Sequence, residues 1–484
     1  MQKLFQAIVS RISVSYKQLS VIKNPDGFLS DRFVQQAIEK ESNICFVSGS
    51  SIELRCHFER TFKKDNSTKY CYLYDGTTDL LPDITEQAYI GKFAIADLFS
   101  NFMDKQVLKG LSFETLAHLH ETNTPGFVSA HDAKMRIMQF EFTQPKVQKK
   151  TAAEYVAELD TVFSDACDWQ EKMPKLSAVL ANAIRDGYYA DIVGKIGEIN
   201  AEFQKVVLAK YTEAVTSNPM LKAKAVNKIL PHLNDKYSST DKVALVVVDG
   251  MAYWQYSVLK EHLSDAGIET EDSTIFSWMP SITMLSRQAI FRGDNPKQDY
   301  KQNPVNESKL WAEYWQGRGI NASDIQYIYD GDDLNIYGTT KRLALVTVEL
   351  DEKMHASTDN SDLMALTENW AKRFVAKVKA IKDAGFTIYL TTDHGNILAR
   401  GWRKLTSQEK TFLYADGSRG ERHLIYQNIN ELKAFVINNR EIEIQQHQNW
   451  LAFCDNGCFA KNGTEIITHG GTHLLEVLIP LVRI

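Results

Sequence analysis

The chain has 484 residues, 44% of them hydrophobic and 24% charged, with a formal net charge of −6. That length exceeds what one hydrophobic core normally serves, so two or three domains are expected. A mildly acidic chain without a charged tail is not a protein whose main task is coating phosphate backbone, although a local basic surface still allows nucleic acid to bind.

The segment opening Met1-Gln2-Lys3-Leu4-Phe5 lacks a secretory apolar run, and the longest apolar runs are strand-sized, against the roughly 20 residues a membrane span needs. Six cysteines form no disulfide framework, so the cytoplasm is the expected compartment. Residues 1–125 read as a small α/β domain. Ile44 to Val47 is expected as a short buried strand, Ile52 to Phe58 as a helix, and Cys71 to Tyr74 as a second strand breaking at Asp75-Gly76. A further apolar stretch runs from Ala94 to Phe102.

Over residues 126–236 the period becomes helical. Thr151 and Glu154 make a capping box, and Tyr155, Leu159 and Phe163 share a face. Leu176, Leu180 and Ile184, then Ile192, Ile196, Ile199 and Phe203, continue the pattern, punctuated by Pro174, Gly187 and Pro219. This stretch is expected to be a helical linker or platform without chemistry of its own.

Residues 237–484 are expected to form a large α/β domain with a central, mostly parallel sheet. Val243 to Val248 has no polar face, which suits a strand covered on both sides. Leu343 to Val348 and Phe386 to Leu390 read the same way. Between them Leu363, Leu366, Trp370, Phe374, Val378 and Ile381 mark one face of a long helix stopping at Gly385.

Sites in open α/β sheets form beyond the carboxyl ends of the strands, and there the unusual polar residues collect. Asp249-Gly250 follows one strand and Asp393-His394-Gly395 another; Asp351 and His355 lie beyond a third, spaced to share one side of a helical turn. Thr468-His469-Gly470-Gly471-Thr472-His473 precedes the last apolar run. An Asp-Gly pair alone is ordinarily a turn, as at Asp75-Gly76 and Asp330-Gly331; the set is what points to a site. Clustered carboxylates repel one another unless cations sit between them, and carboxylate with imidazole suits zinc, manganese or iron better than calcium. Two such ions activate a nucleophile and receive charge on a leaving oxygen. Met279-Pro280-Ser281-Ile282-Thr283, after a strand expected from Thr274 to Trp278, offers hydroxyls; Ser281, Thr283, Ser286 and activated water all stay open. Cys454 and Cys458, with His447 and His469, are weighed as a small zinc site against ordinary thiols.

The segments VVVDGM at 246–251, PSITMLSRQAIF at 280–291, LDEKMH at 350–355, TTDHG at 391–395 and THGGTHLLEVLIPL at 468–481 together resemble the alkaline phosphatase superfamily, and within it the PglZ-domain proteins. Looser similarity to the front of those proteins lies in SIELRCHFE at 51–59, YDG at 74–76 and LLPDI at 80–84. The resemblance implies that Asp351, His355 and His469 hold one divalent ion and that Asp249, Asp393, His394 and Thr283 hold the other. It also implies that Thr283 is the nucleophile. Arg287 is a candidate clamp for a phosphate oxygen or a support for its neighbours. His473 departs from the small or polar residue expected there.

By the same resemblance the chain is a two-metal phosphodiesterase, with zinc the expected metal and manganese the other candidate. It would act on nucleotide or oligonucleotide phosphodiesters in bacterial anti-phage defence of the BREX type or in signalling, with defence-system protein partners and no membrane; a dimer is compatible with it. The competing readings are a phosphomonoesterase or phosphotransferase of the superfamily, and a zinc-stabilised scaffold without activity. Asp294 to Asn306, with Lys297 and Lys301, reads as a nucleotide rim or as a solvated loop.

Overall fold

The structure is a computed structural model, and it describes all residues except 1, 31–33, 36–37, 40–41, 66, 77–78, 110, 144–149, 298–299, 331–333, 358 and 415–419. Gly331 of the Asp330-Gly331 pair and residues 298–299 of the Asp294–Asn306 segment therefore lie outside the described residues. The chain divides into two compact units, Met1–Gln148 and Lys149–Ile484.

In the first unit, strands β1 (Leu19–Lys23), β2 (Ile44–Ser48), β3 (Lys69–Leu73) and β4 (Ala88–Lys92) form a parallel sheet in the order β2-β3-β1-β4. The expected buried strand at 44–47 is an edge strand and half-exposed over most of its length. The apolar stretch at 94–102 contains a 3-10 turn, Ile95–Leu98. The helix Ser51–Arg60 starts on a capping box from Ser50 to Glu53.

In the second unit, the capping box at Thr151 and Glu154 opens the helix Ala152–Ser164. Helices Trp169–Arg185, Tyr189–Gln204 and Val207–Thr216 follow. Pro174 lies inside the first of these three, near its start, where the ring removes a single ladder bond. Their apolar faces do not form a separate core: Leu159, Leu180, Ile199 and Phe203 belong to one cluster with Val246, Val248 and Leu390 of the sheet.

That sheet contains β5 (Val243–Val248), β6 (Glu271–Phe276), β7 (Ile325–Tyr329), β8 (Arg342–Thr347) and β9 (Thr387–Thr391). Smaller sheets are built from β10 (Ile397–Gly401), β11 (His423–Ile425), β12 (Ile444–His447), β13 (Trp450–Phe453), β14 (Gly457–Cys458) and β15 (Glu465–Thr468), before β16 (Leu478–Arg483) returns to the main sheet. Its order is β6-β16-β9-β5-β8-β7, with β5 parallel to β8 and β9, β7 parallel to β8, and β16 antiparallel to both β6 and β9. The strand expected at 274–278 runs from 271 to 276 instead. It is an edge strand, where Glu271 and Asp272 reach water while Thr274 to Phe276 are buried, so an apolar run alone misses its start. The helix Asn360–Asp383 crosses from β8 to β9 and ends before Gly385, at φ +84°. Among the described residues, no helix is long and apolar enough to cross a membrane.

A candidate two-cation site at the strand ends

β5 is buried along its whole length and delivers Asp249 directly after Val248. Gly250 then turns at φ +70°, and a Cβ there would meet Asp351 Oδ1 at 2.7 Å. Glycine is thus required for the turn and for the approach of a second carboxylate. Asn396 secures the turn by donating to the Gly250 carbonyl (2.8 Å) and to Gln255 (2.8 Å).

β8 leads through Val348 into the helix Glu349–Ala356, which carries Asp351 and His355 one turn apart, their side chains 3.6 Å from each other. β9 ends on Thr391 and is followed by Asp393 and His394, both fully buried. Thr283 opens the helix Thr283–Arg292, and His469 follows β15.

These residues converge. Thr283 Oγ1 is 3.0 Å from His394 Nε2, which lies 3.7 Å from Asp249 Oδ1 and 3.5 Å from Asp393 Oδ2. The rings of His394 and His469 stack at 3.8 Å, and His355 stands 5.8 Å from His469. His394 Nδ1 meets the Gly395 carbonyl at 3.1 Å and His469 Nδ1 meets the Ser281 carbonyl at 3.1 Å. Those carbonyls accept hydrogen bonds from Nδ1–H, a tautomer assigned from the partners, which leaves each Nε2 with a free lone pair. Among the described residues, two groups each bring their possible ligand atoms within 4.8 Å of one another: Asp351, His355 and His469 form one, and Asp249, Asp351 and His394 the other. Asp351 is thus common to both. Asp393 stands beside the second group, its Oδ1 accepting from the N–H groups of Gly250 (3.1 Å) and His394 (3.0 Å).

The electrostatics are those of a site built around positive charge. Asp249 Oδ1, Asp351 Oδ1 and Asp393 Oδ2 are all buried without a hydrogen-bond partner. Burial, then the charge of Asp393, pushes Asp249 well above the usual carboxylate range. Burial and then Asp249 push Asp351 up to about 7, and burial pushes Asp393 up to about 6. Burial holds His394 down to about 3 and His469 well below the usual imidazole range. Orphaned carboxylate oxygens facing neutral imidazoles are a fitting donor set for divalent cations.

The other candidates are occupied elsewhere. Ser281 Oγ donates to the Gly471 carbonyl (2.9 Å) and Ser286 Oγ accepts from the Trp278 N–H (3.2 Å). Arg287, weighed as a phosphate clamp or as a support for its neighbours, is buried and held by protein: Nε and Nη2 donate to Glu307 (2.6 and 2.5 Å) and Nη1 to Asp249 Oδ2 (2.8 Å). With its guanidinium in that fork, it selects which oxygen of Asp249 stays free. His473 caps the short helix Leu474–Val477, its Nδ1 accepting from the Leu475 N–H (3.2 Å). Cys454 and Cys458 are buried free thiols, and among the described residues no metal-capable group includes them.

Sequence reasoning missed Glu307, which also accepts from Gln302 (2.5 Å) and the Tyr327 hydroxyl (2.6 Å). It also missed the ion pair of Arg422 with Glu476, both fully buried, whose carboxylate holds the Gly471 N–H (2.8 Å). Neither carries a local signal: Glu307 sits in the first turn of the helix Pro304–Gln316, where an acid is ordinary.

The profile of the family described as BREX system PglZ alkaline phosphatase-like domain matches residues 226–484. No curated protein sequence matches the chain. Similar solved structures include the murine ectonucleotide pyrophosphatase/phosphodiesterase 5, 14% identical, covering 50% of this chain and 88% of that one at a TM-score of 0.34. Another is phosphonoacetate hydrolase from Sinorhizobium meliloti 1021 in complex with phosphonoacetate, 11% identical, covering 50% and 89% at a TM-score of 0.34. Structural likeness that low carries no argument about activity.

Proposed function

Because this chain belongs to the PglZ family of alkaline phosphatase-like domains, we propose that it is a two-metal phosphodiesterase acting on nucleotide or oligonucleotide phosphodiesters. The setting is bacterial anti-phage defence or signalling. The observation that carries the reading is the meeting of three orphaned carboxylate oxygens with the Thr283 hydroxyl around one buried imidazole.

Asp351, His355 and His469 would hold one ion; Asp249, Asp393, His394 and Thr283 would hold the other, with Asp351 in reach of both groups. Bound there, divalent zinc or manganese would lower the pKa of a hydroxyl and offset charge on the leaving oxygen. Thr283 Oγ1 gives up its proton to solvent and forms a bond to phosphorus as the bond to the leaving alkoxide breaks. Water then adds to phosphorus, the bond to Thr283 breaks, and the hydroxyl is restored. Arg287 keeps Asp249 Oδ1 turned toward the site throughout, through its bond to Oδ2.

Metal analysis of the purified protein together with hydrolysis of bis(p-nitrophenyl) phosphate tests this. The expected result is about two ions per chain and turnover that falls by roughly 10³-fold or more in Thr283→Ala with metal content retained. Retained activity in Thr283→Ala sinks the nucleophile. Absence of turnover of the small diester and of oligonucleotides by the metal-replete wild type leaves the scaffold reading in its place.

A further inference from the structure

A cavity of about 870 Å³ opens beside the start of the helix Thr283–Arg292, and Met284 and Leu285, which come directly after the proposed nucleophile, are part of its wall. Trp278, Tyr300, Tyr414 and Trp450 supply aromatic rings, and Lys297 and Lys301 supply charge. No aspartate or glutamate is among the described residues of the lining, in a chain with 61 acidic against 55 basic residues. Neither lysine has a carboxylate partner among the described residues, and both are exposed.

Lysines without counter-charge favour an anion, and flat rings favour an aromatic group. The volume is toward the upper end of the roughly 300–1,000 Å³ typical of small-molecule sites. This wall is also wired to the cation site. Gln302, part of the lining, donates to Glu307, which grips Arg287, which in turn holds Asp249. Gln302 thus joins the cavity wall to a carboxylate proposed to hold a metal.

Resting on the hydrolase reading above, we infer that this cavity is the subsite for the nucleobase and sugar next to the scissile phosphate. The substrate class is then a base-bearing phosphodiester, and the esters of simple alcohols are excluded as preferred substrates.

The test is a binding titration of metal-replete Thr283→Ala protein with AMP and with ribose 5-phosphate, read by tryptophan fluorescence and calorimetry. The same titration on chelated wild type covers the case in which Thr283→Ala fails to fold. AMP is expected to bind at least about tenfold more tightly than ribose 5-phosphate, the lower end of what one base–aromatic stack contributes. Lys297→Ala with Lys301→Ala, both at exposed positions, is expected to weaken AMP binding by about tenfold. Equal affinity for the two ligands, or AMP binding unchanged in the double lysine variant, overturns the subsite. The two readings fail separately. A wild type that turns over no diester yet prefers AMP overturns the hydrolase and still supports a base-binding cavity.

Discussion

The C-terminal unit contains two buried clusters of charge with opposite bookkeeping. Under the His-Gly-Gly loop, Arg422 donates to both oxygens of Glu476 at 2.9 Å and to backbone carbonyls, and Glu476 accepts further N–H groups from Gly471 and His473. Every charge there is matched. At the strand ends, Asp249, Asp351 and Asp393 share one neighbouring arginine among the described residues, whose Nε and Nη2 are engaged by Glu307, and each carboxylate keeps one orphaned oxygen. A satisfied cluster holds a loop in shape; an unsatisfied one of similar burial is held in readiness for something positive.

The largest effect that tests this contrast is expected from Arg422→Ala. It strands the Glu476 carboxylate in a fully buried position and is expected to cost about 3–5 kcal/mol in urea unfolding, with or without metal. A loss that disappears on adding metal would show that the two clusters are not separate. Next is Glu307→Gln, which weakens the grip on Arg287 and so on Asp249. Metal affinity by competition with a chelating dye should fall about 10–100-fold, as for other residues that orient ligands, with the fold intact by circular dichroism.

A smaller effect concerns pH. Unfolded histidines still hold about half their protons at pH 6.5 and have lost nearly all of them by about pH 7.5, so above that they add little slope. Unfolded aspartates have by then lost their protons, whereas burial holds the folded Asp351 carboxyl up to about 7 and that of Asp249 well above the usual carboxylate range. The folded state then binds more protons, so chelated protein should lose stability from pH 7.5 to 9, by an amount on the order of 1 kcal/mol. Saturating metal should flatten that slope; a chelated protein that gains stability over this window contradicts the assignment. The smallest change in stability is expected from Asp393→Asn, which keeps Oδ1 for its two N–H donors and removes a repelled charge. Chelated protein should be unchanged or more stable by about 1 kcal/mol, while bound metal per chain falls.

Much of the frame was legible because β5, β8 and β9 are covered on both faces and read as unbroken apolar runs. β6 was misplaced and β1 missed, since five or six residues with polar members carry little periodicity. The strand-end residues stood out because Asp-His and Asp-Gly pairs after apolar runs are conspicuous in one dimension, and the structure brings them into one cluster. What supports them was not legible. Gln302, Tyr327 and Arg287 meet at Glu307 through folding alone, and burial is what turns an ordinary first-turn glutamate into an anchor. Arg287 was identified, but its partners lie on other elements, and a string does not reveal which way a guanidinium faces.

The stacked pair of His394 and His469 bears on how the chain would acquire the proposed cations. One ring comes from the end of β9 and the other from beyond β15, and Asp249 from far upstream, so only the folded chain offers both donor groups at once. An unfolded chain presents no more than neighbouring pairs such as Asp393 with His394. Binding is then almost wholly a property of the native state, and each tenfold rise in free ion beyond saturation raises stability by about 1.4 kcal/mol per site. Under the two-cation proposal, the melting point of this protein is expected to work as a gauge of the free divalent cation around it.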